Sequence, residues 1–301
     1  ASLRCSGRLP RRNSVLVIRH VANSRAWQMK TLITVLAIGG LAVVVGGGFG
    51  GTVAAQRQLT MDLQCEAEPR APSLDHVVVA VEYLDAAAAP FQQLGFRHKP
   101  GRLHPNGLLN RHIKFRDGSE IELMTVSGLP QDQMAADYQA FIEAGEGGIY
   151  LALSGVAIDT AEKAARHAGL ESRRSSSGTW QFLSFPAETP AAAIFFGSGV
   201  PAVHDPDSVV SHASPVTGLR EVWIDGNAEV RRMVEAMGAV RCGLAVARSG
   251  QTGERWALRN GSVVFLNPAK GVRPRVHGAV LKVREIRGVL ERPHSGFWLY
   301  Y

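Results

Sequence analysis

The order in which strand-like and helix-like patterns follow one another most constrains the fold of this chain. Residues 74–126 begin with the strand-like LDHVVVAV, continue with the helix-like LDAAAAPFQQLGF and a turn-rich stretch, and end with RHIKFRDG and SEIELMTV. Apolar residues alternate in the strand-like pieces and recur at three- to four-residue spacing in the helix-like piece. The segment therefore predicts a strand, a helix and three further strands, a βαβββ unit.

The same order returns twice. Residues 148–197 contain GIYLALSG, DTAEKAARHAGL, ESRRSSSG, TWQFLSFP and AAAIFFG, after a separate helical pattern at 134–144. Residues 218–268 contain GLREVWIDG, NAEVRRMVEAMGAV, RCGLAVARSG, ERWALRNG and SVVFLNP. The helices of the first and third copies end in similar sequences, QQLGF and EAMGAV. RDGSEIELM and RNGSVVFLN also align with the same alternation of residues. Agreement at both ends of a unit of about fifty residues predicts tandem repeats.

Two polar side chains fall on the same face of the first unit's sheet. Side chains alternate along a strand, so Val77 and every second residue after it face the helix, while His76 faces the other side. On the last strand Ile121 and Leu123 share one face and Glu122 lies on the other. An imidazole with a carboxylate suits Zn, Fe(II), Mn or Ni. Burying the carboxylate alone would be costly, and a metal or cation partner would offset that cost.

A structural reading of this pair stays open beside the metal reading. His76 could simply form a hydrogen bond at a strand end, and Glu122 could face solvent. Two protein ligands also fall short of the three that are usual at a catalytic zinc ion. The second unit offers none on its first or last strand, and Phe265 stands at the position of Glu122 in the third. His212 and Glu221 remain as candidates.

Each of these candidates has an ordinary alternative. His212 could be a loop histidine, since it precedes the third unit's first strand in a connecting segment. Glu221 could form a surface ion pair with Arg220 or Arg241. The loop GRLHPNGLLNR at 101–111 is a second cluster of donors, with good turn chemistry as its own alternative.

The first unit resembles the glyoxalase-like domain family of the vicinal oxygen chelate superfamily. The segments that carry the resemblance are LDHVVVAV, LDAAAAPFQQLGF, GRLHPNGLLN and GSEIELM. The resemblance implies an α+β fold in which tandem βαβββ units form a half-open mixed β-barrel with the helices outside. It also implies a divalent metal held inside by the first and last strands.

The resemblance further assigns candidate roles. His76, Glu122 and His212 would be metal ligands, the last because SHASPVTGLREVWI resembles an HPNGA-like segment that precedes the next unit in relatives. Arg102, His104 and Asn110 would bind substrate, and Glu122, or Glu120 in its place, would act as a base.

Two classes of function follow. In the first, the protein is a metal-dependent lyase, isomerase or dioxygenase acting on a small oxygenated molecule. In the second, it is a metal-free binding protein for sequestration or resistance. An apolar pocket around Val78, Ala80, Trp180 and Phe182 would favour the second class. An odd number of units means that the third either stands apart as a cap or pairs with another chain in a homodimer.

The N-terminal region accounts for the basic charge. Residues 1–30 contain seven basic side chains and no acidic one, and these seven charges equal the net charge of the chain, +7. The remainder is neutral, which excludes nucleic acid as a partner. Residues 29–55 have the layout of a signal peptide, or of a membrane anchor over 31–55, so we expect export to the periplasm or beyond. Only this segment, if uncleaved, would bring the protein to a membrane.

These patterns divide the chain as follows: a leader upstream of the true start (1–28), the signal or anchor (29–55), a linker (56–72), a domain of two units (73–200), a second linker (201–214), the third unit (215–270) and a tail (271–301). Cys65 and Cys242 would remain after cleavage. In an oxidising compartment they could pair, or both could stay free.

Overall fold

The first unit is built around its first and last strands, which lie side by side and parallel in the computed structural model. Its elements are β1 (Ser73–Ala80), α1 (Leu84–Gln93), β2 (Lys99–Leu103), β3 (Leu108–Lys114) and β4 (Glu120–Val126). Strand β3 pairs with β4 and β2 with β3, both antiparallel. The structure describes residues 65–199, 205–247 and 250–283, together with the backbone of 292–294 and 297–300.

The second unit repeats this arrangement and joins the first through one pair of strands. Its elements are α2 (Gln133–Glu143), which precedes it, then β5 (Gly147–Ser154), α3 (Ile158–His167), β6 (Arg173–Ser177), β7 (Trp180–Ser184) and β8 (Ile194–Ser198). Strand β8 lies parallel to β5, and β5 runs antiparallel to β1. The first strands of the two units therefore lie at the centre of the pair.

The third unit has the same order and finds its partner strand within this chain. Its elements follow a short helix, α4 (Asp207–Val210), and are β9 (Val216–Asp225), α5 (Ala228–Ala236), β10 (Val240–Val246), β11 (Thr252–Leu258) and β12 (Gly261–Leu266). Strand β13 (Val276–Val283) runs antiparallel to β9, as β5 does to β1. The third unit thus pairs within the chain, an arrangement different from the cap and the homodimer considered above.

Three strands lie in the segment predicted as a C-terminal tail, residues 271–301. Strand β15 (Phe297–Tyr300) runs parallel to β13, and β14 (Arg292–His294) pairs antiparallel with β15. In each of the other three units, the first strand pairs in parallel with the last, and the last pairs antiparallel with the strand before it. Strands β13, β15 and β14 follow the same pattern. Residues from β13 onward therefore have the strand pairing of a fourth unit.

The strands form one mixed, open sheet, which confirms the α+β prediction. The order along its main path is β10-β11-β12-β9-β13-β5-β1-β4-β3-β2, with β8, β7 and β6 branching from β5. The main core includes Val77, Val79, Ile121 and Leu123 packed with residues of α1, α3 and α5, as the alternation predicts.

Helix α2 departs from the predicted placement of helices outside the sheet. Its residues Ala135, Tyr138 and Phe141 pack with Val78 and Ala80 on the face opposite the main core. Helix α2 therefore covers part of the sheet face opposite the main core.

The segment before β1 is joined covalently to the third unit. A disulfide links Cys65 to Cys242 of β10, with Cα atoms 5.6 Å apart. The backbone N–H of Glu68 also donates to the carbonyl of Gly238 at 3.0 Å. Among the described residues, no helix is both long and apolar enough to cross a bilayer. The predicted leader and signal or anchor, residues 1–55, lie outside the described residues.

One side chain connects the third unit to the first strand, and its removal should be costly. The Asn260 Oδ1 atom accepts from the backbone N–H of Leu74 at 2.7 Å, and its Nδ2 donates to the carbonyl of Leu74 at 2.9 Å. We expect Asn260→Ala to lower the free energy of unfolding by about 2 kcal/mol, because it removes two hydrogen bonds and leaves a backbone donor and acceptor unpaired. Urea denaturation measures this change.

The matched control is Asn267→Ala. Asn267 is exposed and accepts one hydrogen bond from Arg231. A surface substitution of this kind is expected to change stability by no more than about 0.5 kcal/mol. Equal effects of the two substitutions would contradict the connecting role of Asn260.

Candidate functional site

His76 is held in one orientation by its sequence neighbour. Its Nδ1 atom lies 2.7 Å from Oδ1 of Asp75, and the side chain is only 17% exposed. The Asp75 carboxylate accepts a hydrogen bond from Nδ1–H, which leaves Nε2 turned toward Glu122, where it lies 3.6 Å from Oε2. A carboxylate behind the imidazole is the arrangement that usually orients metal-binding histidines.

Glu122 is buried on β4 and oriented by β3. Asn110 Nδ2 donates to Glu122 Oε1 at 2.7 Å, and Asn110 Oδ1 accepts from the backbone N–H of Arg102 at 2.8 Å. The structure therefore brings together three residues that the sequence proposed for the site: His76, Glu122 and Asn110. Asn110 lies on strand β3, beyond the turn itself.

Two basic side chains that the sequence reasoning did not use also face this cluster. The register of β3 and β4 sets His112 opposite Glu122 and Lys114 opposite Glu120. Lys114 forms an ion pair with Glu120, and His112 Nδ1 lies 3.4 Å from Glu120 Oε1 and 3.9 Å from Glu122 Oε1. The alternation of RHIKF in the sequence could have shown that His112 and Lys114 share the face of Asn110.

Electrostatic interactions within the cluster shift two pKa values strongly. Burial lowers the pKa of His76, but the hydrogen bond to Asp75 and the charges of Glu120 and Glu122 outweigh it and raise the pKa to about 9. Burial raises the pKa of Glu120, but His112, His76 and Lys114 outweigh it and lower the pKa to about 2. Near neutral pH, Glu120 is a carboxylate, and a pKa this low makes it a weak proton acceptor.

The loop residues proposed for substrate binding take different positions. Arg102 lies on β2 and is exposed, and its backbone reaches Asn110. His104 is half-buried, and its Nε2 has no hydrogen-bond partner within the described part of the chain. Burial and the charge of Arg102 lower the pKa of His104, while Glu122 acts in the opposite direction. The charge of Glu122 therefore acts on the His104 side chain.

His212 is not brought to His76 and Glu122. Its Nδ1 accepts from the backbone N–H of Arg97 at 3.0 Å, and its Nε2 lies 2.8 Å from the carbonyl of Lys114. Its ring packs edge-on against Phe96 and Phe115, both of which belong to the main core. Because both ring nitrogens are engaged on this side of the sheet, His212 does not complete a ligand set with His76 and Glu122.

The second unit supplies an apolar wall in front of His76. The register places Ala152 of β5 beside His76, and Phe195 of β8 beside Ala152. The ring of Phe195 meets the imidazole edge-on, with centroids 5.5 Å apart. Tyr150, also on β5, packs edge-on against Tyr138 of α2 and accepts a hydrogen bond from Arg273.

Glu221 lies on the inner face of the third unit. In the register it stands beside Ser262, as His76 stands beside Glu120. It accepts hydrogen bonds from Arg255 at 2.6 Å, Ser262 at 3.0 Å and Trp223 at 2.8 Å. The cation partner of Glu221 is thus Arg255, in place of the Arg220 or Arg241 of the surface alternative.

The expected equivalence of Phe265 and Glu122 is also corrected by the strand register. Phe265 pairs with Ile224 and belongs to the main core, whereas Trp223 and Val264 pack in a separate cluster on the other face. Val264 therefore takes the position that Glu122 holds in the first unit. The one-residue difference arises because matching RDGSEIELM to RNGSVVFLN fixes the turn but not the pairing with β9.

The donor set fits a divalent ion in part. Within the described ranges, no three or more His, Cys, Asp or Glu side chains are arranged as a group that could hold a metal ion. Two tetrahedral ligands about 2.1 Å from one ion lie about 3.4 Å apart, close to the 3.6 Å between His76 Nε2 and Glu122 Oε2. His112 Nδ1 is buried and has no hydrogen-bond partner in the same described part. His76 and Glu122 therefore fit two ligand positions, and His112, whose Nδ1 lies 3.9 Å from Glu122 Oε1, is a further candidate donor.

Comparison with known proteins identifies relatives at the level of family and fold. A sequence model described as "Glyoxalase-like domain" matches residues 74–241. A hypothetical protein from Staphylococcus aureus is 12% identical, with 75% of this chain and 97% of that chain covered and a TM-score of 0.51. No curated protein matches the chain.

Two further structures resemble about half of this chain. A hypothetical protein from Bacillus halodurans C-125 is 15% identical, with 44% of this chain and 99% of that chain covered and a TM-score of 0.37. A Streptomyces coelicolor methylmalonyl-CoA epimerase, solved in complex with 2-nitronate-propionyl-CoA, is 18% identical, with 44% and 99% covered and a TM-score of 0.35. At such identities the likeness concerns the fold alone.

Proposed function

Since this chain belongs to the glyoxalase-like domain family, we propose that the first two units form a metal-dependent site. The site is the concave face that carries His76 and Glu122. The proposed reaction class is that of a lyase, isomerase or dioxygenase acting on a small oxygenated molecule. The observation that carries the proposal is the orientation of His76, whose Nδ1 is engaged by Asp75 while its Nε2 faces Glu122.

The charges around this pair support the proposal. Three carboxylates, those of Asp75, Glu120 and Glu122, contact His76, and Lys114 neutralises one of them. Even with His76 protonated, as its pKa of about 9 implies near neutral pH, these three carboxylates outnumber the charges of His76 and Lys114, which favours a bound cation in place of the proton. Zn, Fe(II), Mn and Ni all accept imidazole with carboxylate ligands.

Each residue has a defined part in the proposed site. His76 and Glu122 would hold the ion, and His112 would be the third ligand in place of His212. A bound divalent ion supplies Lewis acidity, which polarises the oxygens of a substrate. Asp75 and Asn110 orient the two first-named ligands through their hydrogen bonds. Lys114 keeps Glu120 in an ion pair, so Glu122 is the better candidate for a base, and His104 is placed to contact a substrate near it.

A metal-free binding protein is the second candidate, and one observation favours it. The positions across from His76 are taken by Ala152 and Phe195, so the second unit adds an apolar wall and no ligand. The half-buried Phe195 would suit a bound apolar group, whereas Val78 and Ala80, which were expected to line such a pocket, are covered by α2.

Metal content decides between the two candidates. We expect the protein expressed from Gln56 and purified without chelators to contain one divalent ion per chain by elemental analysis. His76→Ala and Glu122→Ala should each reduce the occupancy at least about tenfold, because each removes one ligand. His212→Ala is the matched control and should retain the metal, since His212 is bound on the other side of the sheet. A wild-type protein free of metal would refute the metal-dependent reaction and leave the binding protein.

We also propose that the protein is exported, through residues 29–55 as a signal peptide or through residues 31–55 as an anchor. The disulfide between Cys65 and Cys242 supports this proposal, because such bonds persist mainly in oxidising compartments. Fractionation of cells that express the chain with and without residues 29–55 tests it. Equal recovery of both forms in the cytosolic fraction would refute export.

A further inference from the structure

A row of aromatic rings extends from His76 along the second unit. The ring of Phe195 lies 5.5 Å from the imidazole, Phe182 lies 6.4 Å from Phe195, and Trp180 lies 6.4 Å from Phe182, each measured between centroids. The planes of Trp180 and Phe182 differ by only 16°. These two rings are therefore nearly parallel neighbours, and together we call them the aromatic platform.

Glycines on β8 and just after it give the platform its shape. A Cβ atom at Gly199 would lie 2.5 Å from Cδ2 of Trp180, a distance that the indole could not accommodate without moving. A Cβ at Gly197 would touch the Phe182 ring at 3.7 Å, an ordinary contact. Gly199 is thus the residue that lets Trp180 lie where it does. A glycine is frequently used where another group must approach the backbone closely.

The platform remains accessible on its other side. Trp180, Phe182 and Phe195 are half-buried, whereas Leu183 and Phe196, which alternate with them, belong to the main core. On β6 the neighbours of Phe182 and Trp180 are exposed serines, Ser175 and Ser177, which are too small to cover the rings.

We propose that the aromatic platform binds a planar ring of the ligand whose oxygen-bearing end reaches His76 and Glu122. The inference rests on the proposed function, because it names the substrate class of that site. The centroid distances bound the reach between the imidazole and Phe182 at about 12 Å. The ligand class is accordingly an aromatic or conjugated ring joined to an oxygen function by a tail of a few atoms.

Two probes that differ only in the ring test the platform. 3-Phenylpropanoate and 3-cyclohexylpropanoate have the same carboxylate tail, and their affinities are measured by calorimetry on the zinc-loaded protein. We expect the phenyl probe to bind about two- to tenfold more tightly, the gain that aromatic stacking adds to area burial. Trp180→Leu and Phe182→Leu should reduce the ratio of the affinities to near one. Gly199→Ala should reduce it as well, although it keeps every aromatic residue.

The control is Tyr83→Leu, which removes an exposed aromatic ring elsewhere and should leave the ratio unchanged. Equal affinities in the wild type, a ratio unchanged in the platform variants, or no binding of either probe would overturn the inference. If the probes bind and the binding requires His76 but not Trp180, the inference about the platform is overturned and the proposed function still stands. If the protein holds no metal, the proposed function fails by itself. The platform is then tested with 3-phenylpropan-1-ol and 3-cyclohexylpropan-1-ol. The ratio of their affinities should depend on Trp180, Phe182 and Gly199 in the same way.

Discussion

Replacing Cys65 and Cys242 with serine should lower the free energy of unfolding by about 3–5 kcal/mol. The two cysteines are 177 residues apart in sequence, so their bond closes a loop that includes β1 to β9. Closing so long a loop removes much conformational entropy from the unfolded chain, and the entropic contribution grows with loop length. The loss should also free the segment before β1, which is otherwise tied to the third unit by the hydrogen bond from Glu68 to Gly238.

Urea denaturation with and without reductant measures this effect. Reductant should destabilise the wild type to the level of the Cys65→Ser/Cys242→Ser variant and should leave the variant itself unchanged. This second measurement separates the loss of the bond from any effect of serine. A wild type that is equally stable in both conditions would show that the bond does not form or does not constrain the chain.

Local patterns were sufficient for the parts of the fold that depend on alternation. Val77 and Ile121 were assigned to the helix side from sequence alone, and both belong to the main core. The βαβββ order and the open mixed sheet also follow from the repeated pattern. The strands after β13 were missed because β14 and β15 are three and four residues long, too short for a periodic signal.

The side of the sheet that helix α2 covers does not follow from its sequence pattern. The amphipathic pattern of Gln133–Glu143 shows that one face is buried, but it does not state which side of a sheet receives that face. In the structure it packs on Val78 and Ala80, which the sequence left open toward the cavity. Only tertiary contacts carry this information.

The candidate site could be predicted where its residues lie on adjacent parallel strands, β1 and β4. His76 and Glu122 were paired because the first and last strands of a unit were expected to share one surface. His112 and Lys114 were missed because their approach depends on the register of β3 and β4, which a turn-rich sequence does not fix. The resemblance of SHASPVTGLREVWI to a segment of relatives predicts His212 as a ligand, but both nitrogens of its ring contact backbone atoms, those of Arg97 and Lys114.

Lys114→Met should be the most damaging single substitution among the charged residues of the cluster, with a loss of about 3 kcal/mol in the free energy of unfolding. The side chain of Glu120 is only 8% exposed, and Lys114 forms an ion pair with it. Removing the ammonium leaves a buried carboxylate with the two imidazoles of His76 and His112 as its remaining partners. A buried charge that loses its partner costs far more than a surface charge does, because water does not replace that partner.

A double variant separates this explanation from a simple loss of packing. Lys114→Met/Glu120→Gln removes both charges of the pair, so we expect it to recover at least about 1 kcal/mol relative to Lys114→Met. The surface control is Lys282→Met, whose ammonium lies 3.1 Å from Asp117 and whose side chain is 42% exposed. Exposed pairs contribute no more than about 1 kcal/mol, so this change should be small. If Lys114→Met and Lys282→Met cost the same, or if the double variant is the least stable, the stability of the cluster does not depend on pairing Glu120. In that case the ionised carboxylate must be stabilised by solvent or by His76 and His112 alone.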